Sequence, residues 1–233
     1  MTFVERELKL RPDDPGLLDE VWALRQLGPF EVVARRQEQQ RNSFFDSRTR
    51  ALGAARLALR RRSVAGVGMA TWTLKSHGQT LRGIATRPEI ELQLRDDTPP
   101  MIALGALTQA ARQRGAAPLS EEVADAMRAS PPPLAEPFLE LVTSRRILEL
   151  RQVREAGSSE LELALDSVCL ERHLGYAERE IEVGLRRGDE ALLEVAREAI
   201  RHLGAVHDGE GSKLSRALDH VRACPGCSPE SAR

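Results

Sequence analysis

The chain has 233 residues, enough for one large β-rich domain or two small ones with a sizeable core. Its 34 Lys and Arg nearly balance its 35 Asp and Glu, so bulk charge does not favour binding to nucleic acid or to an anionic membrane. The sequence MTFVERELKL lacks the apolar core of a secretory signal, and no apolar run reaches membrane-spanning length. We therefore expect a cytoplasmic protein with one domain over residues 1–222 and a flexible tail over 223–233.

The first predicted strand lies in the segment VERELKL and alternates charged with apolar residues. Successive side chains of a β-strand point to opposite faces, so Glu5, Glu7 and Lys9 share one face. Leu8 and Leu10 lie on the other face. This strand therefore has one charged side and one side suited to a hydrophobic core.

The same period of two recurs in six further segments. The polar residues of their charged faces are Arg56, Arg60 and Arg62; Thr71, Thr73 and Lys75; Arg87, Glu89, Glu91 and Gln93; Thr143, Arg145 and Glu149; Glu160, Glu162 and Asp166; and Glu180 and Glu182. A single half-buried strand normally turns its polar face to water. Here some faces are purely acidic and others purely basic, whereas solvated surfaces usually mix the two signs. We interpret the sorted charges as the lining of a shared cavity.

Three segments have the apolar spacing of amphipathic helices, namely residues 17–24, residues 192–200 and residues from 101 to about 127. Helices that cover the apolar faces of a sheet leave its charged faces to line a closed barrel or a deep cleft. The sequence therefore predicts an α+β fold in which a β-barrel with a charged lumen carries flanking helices.

Paired carboxylates on one strand face repel each other by about 1 to 4 kcal/mol unless a cation lies between them. Two such pairs occur, Glu5 with Glu7 and Glu180 with Glu182, and the charged face of another segment adds Glu162 and Asp166. The six carboxylates are hard oxygen ligands suited to Mg²⁺ or Mn²⁺, and we predict them as metal ligands: Glu5, Glu7, Glu162, Asp166, Glu180 and Glu182.

Basic residues on the remaining faces supply more positive charge than one phosphate group needs. The predicted substrate contacts are Lys9, Arg60, Lys75, Arg87, Arg145 and Lys213. Phosphoryl transfer to water depends mainly on positioning and on charge neutralisation, so a carboxylate-held metal facing Lys and Arg is sufficient for catalysis. We expect a small anionic substrate and a protein that acts as a monomer or homodimer.

The segment Glu5-Arg6-Glu7-Leu8-Lys9 resembles the Glu-x-Glu-x-Lys signature of the CYTH superfamily, the triphosphate tunnel metalloenzymes. Further landmarks follow in the family's order and span nearly the whole chain: Phe44-Phe45-Asp46-Ser47, the strand ending at Arg60, Thr73-Leu74-Lys75, Arg87-Pro88-Glu89-Ile90-Glu91, Leu163-Ala164-Leu165-Asp166, Gly175-Tyr176, Glu180-Ile181-Glu182 and Ser212-Lys213. The resemblance implies a closed eight-stranded antiparallel barrel that forms a tunnel.

The resemblance also implies roles for individual residues. Glu5, Glu7 and Asp166 would lie on the metal side with Glu180 and Glu182. The triphosphate would be held by Lys9, Arg60, Lys75, Arg145 and Lys213. We take Glu5, Glu7, Lys9 and Asp166 as the catalytic candidates.

One landmark departs from the family pattern, which often has two Arg at alternate positions where this chain has Ala58 and Arg60. Arg56 or Arg62 could supply the second arginine. The family includes inorganic triphosphatases, thiamine triphosphatases, class IV adenylyl cyclases and RNA triphosphatases. We favour inorganic tripolyphosphate because no aromatic-rich segment suggests a stacked nucleobase. Thiamine triphosphate or another organic triphosphate, cyclase activity and non-catalytic polyphosphate binding remain alternatives.

Cysteine usage gives little further functional information. The chain has 3 cysteines, too few for a disulfide framework, which suits a reducing compartment. Cys224 and Cys227 have the spacing of half a zinc site or of a redox pair, but no second pair completes it. We predict that this pair does not contribute to activity.

Overall fold

The computed structural model describes residues 4–76, 78–128, 135–154, 157–171 and 175–224, apart from the side chains of Val4, Glu5 and Arg154. Its strands are β1 (Val4–Pro12), β2 (Gln26–Leu27), β3 (Phe30–Phe45), β4 (Ala58–Val64), β5 (Met69–Lys75), β6 (Gln79–Leu81), β7 (Ile84–Arg95), β8 (Leu139–Arg154), β9 (Gly157–Leu170), β10 (Ala177–Arg187) and β11 (Val206–Asp208). Its helices are α1 (Leu17–Ala23), α2 (Ala51–Ala54), α3 (Pro100–Gln113), α4 (Ala117–Arg128), α5 (Ala191–Arg201) and α6 (Lys213–Ala223).

Eight of the strands form a closed antiparallel barrel. Neighbouring strands follow the order β1, β10, β9, β8, β3, β4, β5 and β7, and the pairing of β7 with β1 closes the ring. The three short strands extend this sheet, since β2 pairs with β3, β6 with β7 and β11 with β1. The predicted eight-stranded barrel with flanking helices is therefore confirmed.

The apolar strand faces point outward, and the helices bury them. Leu8 and Ile181 are fully buried in one cluster with Leu193 and Ile200 of α5. On another side of the barrel, Trp72 packs in a cluster with residues of α3 and α4. Burying an aliphatic or aromatic side chain of this kind contributes about 2 kcal/mol. Because side chains alternate, the charged residues between these positions point into the barrel.

Helix α6 covers one end of the barrel interior. Ala217 is fully buried against Phe44, Leu141 and Val168, which share the interior faces of their strands with charged residues further along. The helix begins with a capping box, in which Ser212 and Ser215 exchange side-chain and backbone hydrogen bonds. This cap places Lys213, the first residue of the helix, at the boundary between the apolar end and the charged lumen.

Two predictions of local structure are wrong, and one strand was not predicted. The helix predicted from 101 to about 127 is two helices, because Gly115 adopts a φ of +79° between α3 and α4. Arg56 is not on a strand, since it lies in the turn before β4 with a φ of 59°. Strand β3 was not predicted, because its outward residues Arg35, Gln37, Gln39 and Arg41 are exposed and polar, so this stretch shows no apolar alternation.

Within the part of the chain that the structure describes, no helix has both the length and the apolar character needed to cross a membrane.

Candidate active site in the barrel interior

Three carboxylates from β9 and β10 meet inside the barrel. Asp166 lies directly opposite Glu180 in the strand register, and Glu182 follows on the same face. One oxygen atom from each of the three lies within 4.8 Å of the others. The side chains of Asp166 and Glu180 are 0% exposed, and that of Glu182 is 13% exposed. This group, called the acidic cluster below, concentrates buried negative charge on one wall of the lumen.

Two cations contact the acidic cluster from different elements. Lys213 Nζ of α6 lies 3.0 Å from Asp166 Oδ2 and 2.6 Å from Glu182 Oε1, and it also contacts Glu180. Arg145 of β8 donates to Asp166 through two nitrogens, at 2.8 Å and 2.5 Å, and to Glu182 at 2.5 Å. These ion pairs are largely buried, and their charge-assisted hydrogen bonds are therefore strong.

The pKa values follow from burial and from these contacts. Burial raises the pKa of Glu182, but Lys213 and Arg145 outweigh burial and hold the pKa well below its usual value. Burial also dominates at Glu180, whose pKa lies above its usual value with Glu182 adding to the rise. Burial lowers the pKa of Lys213, yet the three carboxylates more than offset it and keep the pKa above its usual value. Glu182 is thus an anion and Lys213 a cation at neutral pH.

Strand β1 adds a second ionic group beside the acidic cluster. Lys9 Nζ lies 2.8 Å from Glu7 Oε1 and 3.7 Å from Glu182 Oε1. Arg87 of β7 donates to the same Glu7 oxygen at 2.7 Å. Burial lowers the pKa of Lys9, but Glu7 and Glu182 outweigh burial and raise it. The predicted residues Glu7, Lys9 and Arg87 therefore lie next to the predicted metal side.

The interior faces of β4, β5 and β7 form a third group. Arg60 donates to Thr73 Oγ1 at 3.0 Å and to Glu91 Oε1 at 3.3 Å, and Arg62 lies 3.5 Å from the same Glu91 oxygen. Burial lowers the pKa of Arg62 to about 10, with the charge of Arg60 adding to the effect. Lys75, also predicted as a substrate contact, lies 2.6 Å from Glu89. This wall combines several cations with two carboxylates.

The pKa of Glu91 predicts how this wall contributes to stability. Burial raises the pKa, but Arg60 and Arg62 outweigh it and lower the pKa from 4.5 to about 2. Because the pKa is lower in the folded state, ionised Glu91 stabilises the fold at pH values above its ordinary pKa. This contribution is lost as the pH falls from about 4.5 towards 2. The Glu91 side chain is 42% exposed, so solvent screening reduces the contribution to about 1 kcal/mol.

In urea unfolding, lowering the pH from about 6 to about 3 should remove about 60% of this contribution and so cost the wild type about 0.6 kcal/mol more than Glu91→Gln. Glu198→Gln, which removes an exposed helical ion pair with Arg201, should behave like the wild type. An equal loss in wild type and Glu91→Gln would contradict the assignment.

Two predicted metal ligands, Glu162 and Glu5, are not among the residues of the acidic cluster. Glu162 faces the lumen, but its carboxylate contacts Arg36 and Arg186, each at 2.7 Å. Its role as a metal ligand therefore stays a prediction. The backbone of Glu5 lies in β1 opposite Arg87, whereas its side chain lies outside the described residues.

Arg62 occupies the alternate position to Arg60 on β4 and contacts the same Glu91 carboxylate, which favours Arg62 over Arg56 as the second arginine of this landmark.

Two interior residues were not predicted from the sequence. The buried Glu178 of β10 pairs with the partly buried Arg216 of α6 beside the acidic cluster. Sequence patterns could have identified both residues. Glu178 extends the alternation of Glu180 and Glu182 by one step, and Arg216 follows Lys213 by about one helical turn.

The landmark Asp46 has a structural role in the described chain. Its buried carboxylate accepts hydrogen bonds from the backbone nitrogens of Leu52 at 3.0 Å and Gly53 at 2.9 Å. These bonds satisfy the free N–H groups of the short helix α2, which leads into β4. Asp46 thus helps to set the start of the strand that carries Arg60 and Arg62.

The acidic cluster meets the chemical requirements of a hard divalent cation. Carboxylate oxygens are the ligands that Mg²⁺ and Mn²⁺ prefer, and three of them converge here from two adjacent strands. Glu7 adds a fourth carboxylate nearby, since Lys9 contacts both Glu7 and Glu182. The residues present therefore fit a divalent metal.

The closed eight-stranded barrel, with charges of both signs facing its interior, places the protein in the class of tunnel-shaped β-barrels. The model of the CYTH domain family matches residues 4–218, and the chain belongs to this family. The resemblance inferred from the sequence is thereby confirmed. Comparison with curated protein sequences gives no match.

Solved structures share the fold. HpAC1 from Hippeastrum, a proposed adenylyl cyclase with a dominant triphosphatase activity, is 19% identical, with a TM-score of 0.58 and coverage of 93% of this chain and 96% of its own. The PH1819 protein from Pyrococcus horikoshii OT3 is 18% identical, with a TM-score of 0.52 and coverage of 92% and 99%. A proposed adenylate cyclase from Bacillus halodurans is 19% identical, with a TM-score of 0.50 and coverage of 91% and 97%. At these identities the similarity establishes the fold alone.

Proposed function

We propose that the protein is a divalent-metal-dependent hydrolase that cleaves a phosphoanhydride bond of a triphosphate, with inorganic tripolyphosphate as its preferred substrate. The observation that carries the proposal is the acidic cluster of Asp166, Glu180 and Glu182, which faces a lumen rich in Lys and Arg. A protein that only bound a polyanion would need the cations but not this many convergent carboxylates.

In this proposal Asp166, Glu180 and Glu182 would hold the metal, with Glu7 beside them and Glu5 assigned by the family resemblance. A bound Mg²⁺ or Mn²⁺ supplies Lewis-acid neutralisation of phosphate oxygens. Lys213 and Arg145 contribute positive charge at the same place, because both already contact the cluster. The pKa shifts keep Lys213 protonated, so it can donate hydrogen bonds to a phosphate at neutral pH.

The remaining cations would bind the rest of the substrate. Lys9 and Arg87 lie on one side of the acidic cluster, and Arg60, Arg62 and Lys75 lie along β4 and β5. Several cations around one lumen can orient a chain of phosphates and offset its negative charge, which is the main requirement of phosphoryl transfer. Hydrolysis would join a water oxygen to the terminal phosphorus and break its bond to the bridging oxygen. Orthophosphate, pyrophosphate and a proton are the products.

The preference for an inorganic substrate rests on the aromatic residues of the interior. Among the interior side chains that the structure describes, Phe44 lies with Tyr176 in the apolar cluster under α6. Base recognition commonly uses stacking on an aromatic ring, and these rings are already packed against protein. This arrangement favours a substrate without a base.

A substrate panel tests the proposal. Purified protein would be given tripolyphosphate, thiamine triphosphate or ATP with Mg²⁺ or Mn²⁺, and both phosphate and cyclic AMP would be measured. We expect the highest kcat/KM for tripolyphosphate and complete loss of turnover with excess EDTA. Cyclic AMP as the main product would favour a cyclase, and tight polyphosphate binding without turnover would favour a binding module; either result would overturn the proposal.

A further inference from the structure

Arg216 links the first turns of α6 to strand β10 through its whole guanidinium group. Its Nε and Nη2 donate to the two oxygens of Glu178 at 2.7 Å and 2.9 Å, and Nη2 also donates to Glu180 Oε1 at 2.8 Å. Its Nη1 donates to the backbone carbonyls of Glu210 at 2.9 Å and Gly211 at 3.3 Å, just before the helix. One side chain thus joins the helix, the loop before it and the strand of the acidic cluster.

The carboxylate of Glu180 is shared between two residues of α6. Arg216 binds its Oε1 atom, whereas Lys213 contacts its Oε2 atom. Lys213 and Arg216 are three residues apart and therefore lie on the same helix face. The direction in which Glu180 presents each oxygen is consequently set by α6.

The partner Glu178 anchors this arrangement. Its side chain is 3% exposed, and it belongs to the same interior face of β10 as Glu180, one step further from Glu182. A planar guanidinium matches a carboxylate at two points and so fixes orientation as well as charge, which a Lys ammonium cannot do. Burial lowers the pKa of Arg216, but Glu178 and Glu180 outweigh it and raise the pKa, so the pair is ionic.

We infer that Arg216, anchored by Glu178, is a positioning residue. It holds Glu180 and the start of α6 so that Glu180 Oε2 and Lys213 Nζ face Asp166 and Glu182. The inference rests on the proposed function, since it concerns the ability of that cluster to bind a divalent cation. Groups that orient metal ligands in this way typically change metal affinity or activity by about 10- to 100-fold when removed.

Direct Mn²⁺ binding tests the inference without relying on turnover. Free Mn²⁺ would be measured by electron paramagnetic resonance during titration of the wild type, Arg216→Ala, Arg216→Lys and Glu178→Gln. We expect Arg216→Ala to weaken Mn²⁺ binding about 10- to 100-fold. Arg216→Lys should weaken it less, because lysine keeps the positive charge but loses the two-point contact of the guanidinium. Glu178→Gln should add little in an Arg216→Ala background, because the two residues act as one unit.

The matched control is Arg222→Ala on the same helix, which removes a 3.4 Å ion pair between exposed Arg222 and Asp219. It should leave Mn²⁺ affinity unchanged. The thermal unfolding midpoint of each variant would be recorded. If Arg216→Ala does not fold, the Mn²⁺ affinity of Arg216→Lys tests the inference in its place.

A lower thermal midpoint with wild-type Mn²⁺ affinity in the Arg216 variants would overturn the inference and leave the proposed function intact. A wild type that neither binds Mn²⁺ nor hydrolyses tripolyphosphate would overturn both.

Discussion

Replacing Glu182 by glutamine is expected to lower kcat/KM for tripolyphosphate by about 10³-fold, which corresponds to about 4 kcal/mol of lost transition-state stabilisation. The Glu182 carboxylate lies among Lys213 at 2.6 Å, Arg145 at 2.5 Å and Lys9 at 3.7 Å. Its low pKa keeps it ionised, whereas glutamine offers no negative charge to a divalent cation. Steady-state kinetics with Mg²⁺ or Mn²⁺ measures the loss.

The comparison variant for this prediction is Glu162→Gln. Glu162 also faces the lumen, but it contacts Arg36 and Arg186 and lies outside the acidic cluster. Its substitution should change kcat/KM by less than about fivefold, or about 1 kcal/mol. A Glu162→Gln variant as inactive as Glu182→Gln would contradict the proposal that the acidic cluster holds the metal without Glu162.

Replacing Lys213 by methionine is expected to lower kcat/KM by about 10²-fold, similar to removal of one preorganised donor from a developing charge. Lys213 is the residue that contacts all three members of the acidic cluster, and α6 holds it there through the capping box at its start. Lys213→Arg keeps the charge but changes the geometry, so it should retain part of the activity.

Lys213→Met should also lower the free energy of unfolding in the absence of added metal. Removing one partner of a buried ionic group leaves like charges unpaired and costs about 3 kcal/mol. Urea unfolding of the wild type, Lys213→Met and Lys213→Arg in EDTA measures this effect. Unchanged stability together with unchanged kcat/KM would show that Lys213 does not belong to the site.

The sequence predicted the barrel because most of its strands must bury one face under helices. Leu8, Leu10 and Ile181 are apolar for that reason, and their alternation with Glu7, Lys9 and Glu182 marks the interior. Strand β3 escaped detection because its outward residues from Arg35 to Arg41 are exposed and polar, so no apolar residue marks the outward face of this stretch. Alternation therefore reveals a strand only where a helix covers it.

The grouping of the interior residues could be predicted only in part. Alternation places Glu162 and Asp166 on one face, but it does not say that Arg36 of β3 contacts Glu162 whereas Arg145 of β8 contacts Asp166. That information depends on which strands are neighbours and on their register. Arg216 was missed for a similar reason, since its role follows from the docking of α6 against β10.

Metal-dependent hydrolysis of a triphosphate in this lumen can be followed by ³¹P nuclear magnetic resonance of tripolyphosphate incubated with the purified protein and Mg²⁺. We predict that the tripolyphosphate signals give way to equal amounts of pyrophosphate and orthophosphate, and that EDTA or the Glu182→Gln substitution prevents the change. Tripolyphosphate that persists in the presence of the protein and Mg²⁺ or Mn²⁺, or that is cleaved equally well in EDTA, would contradict metal-dependent hydrolysis.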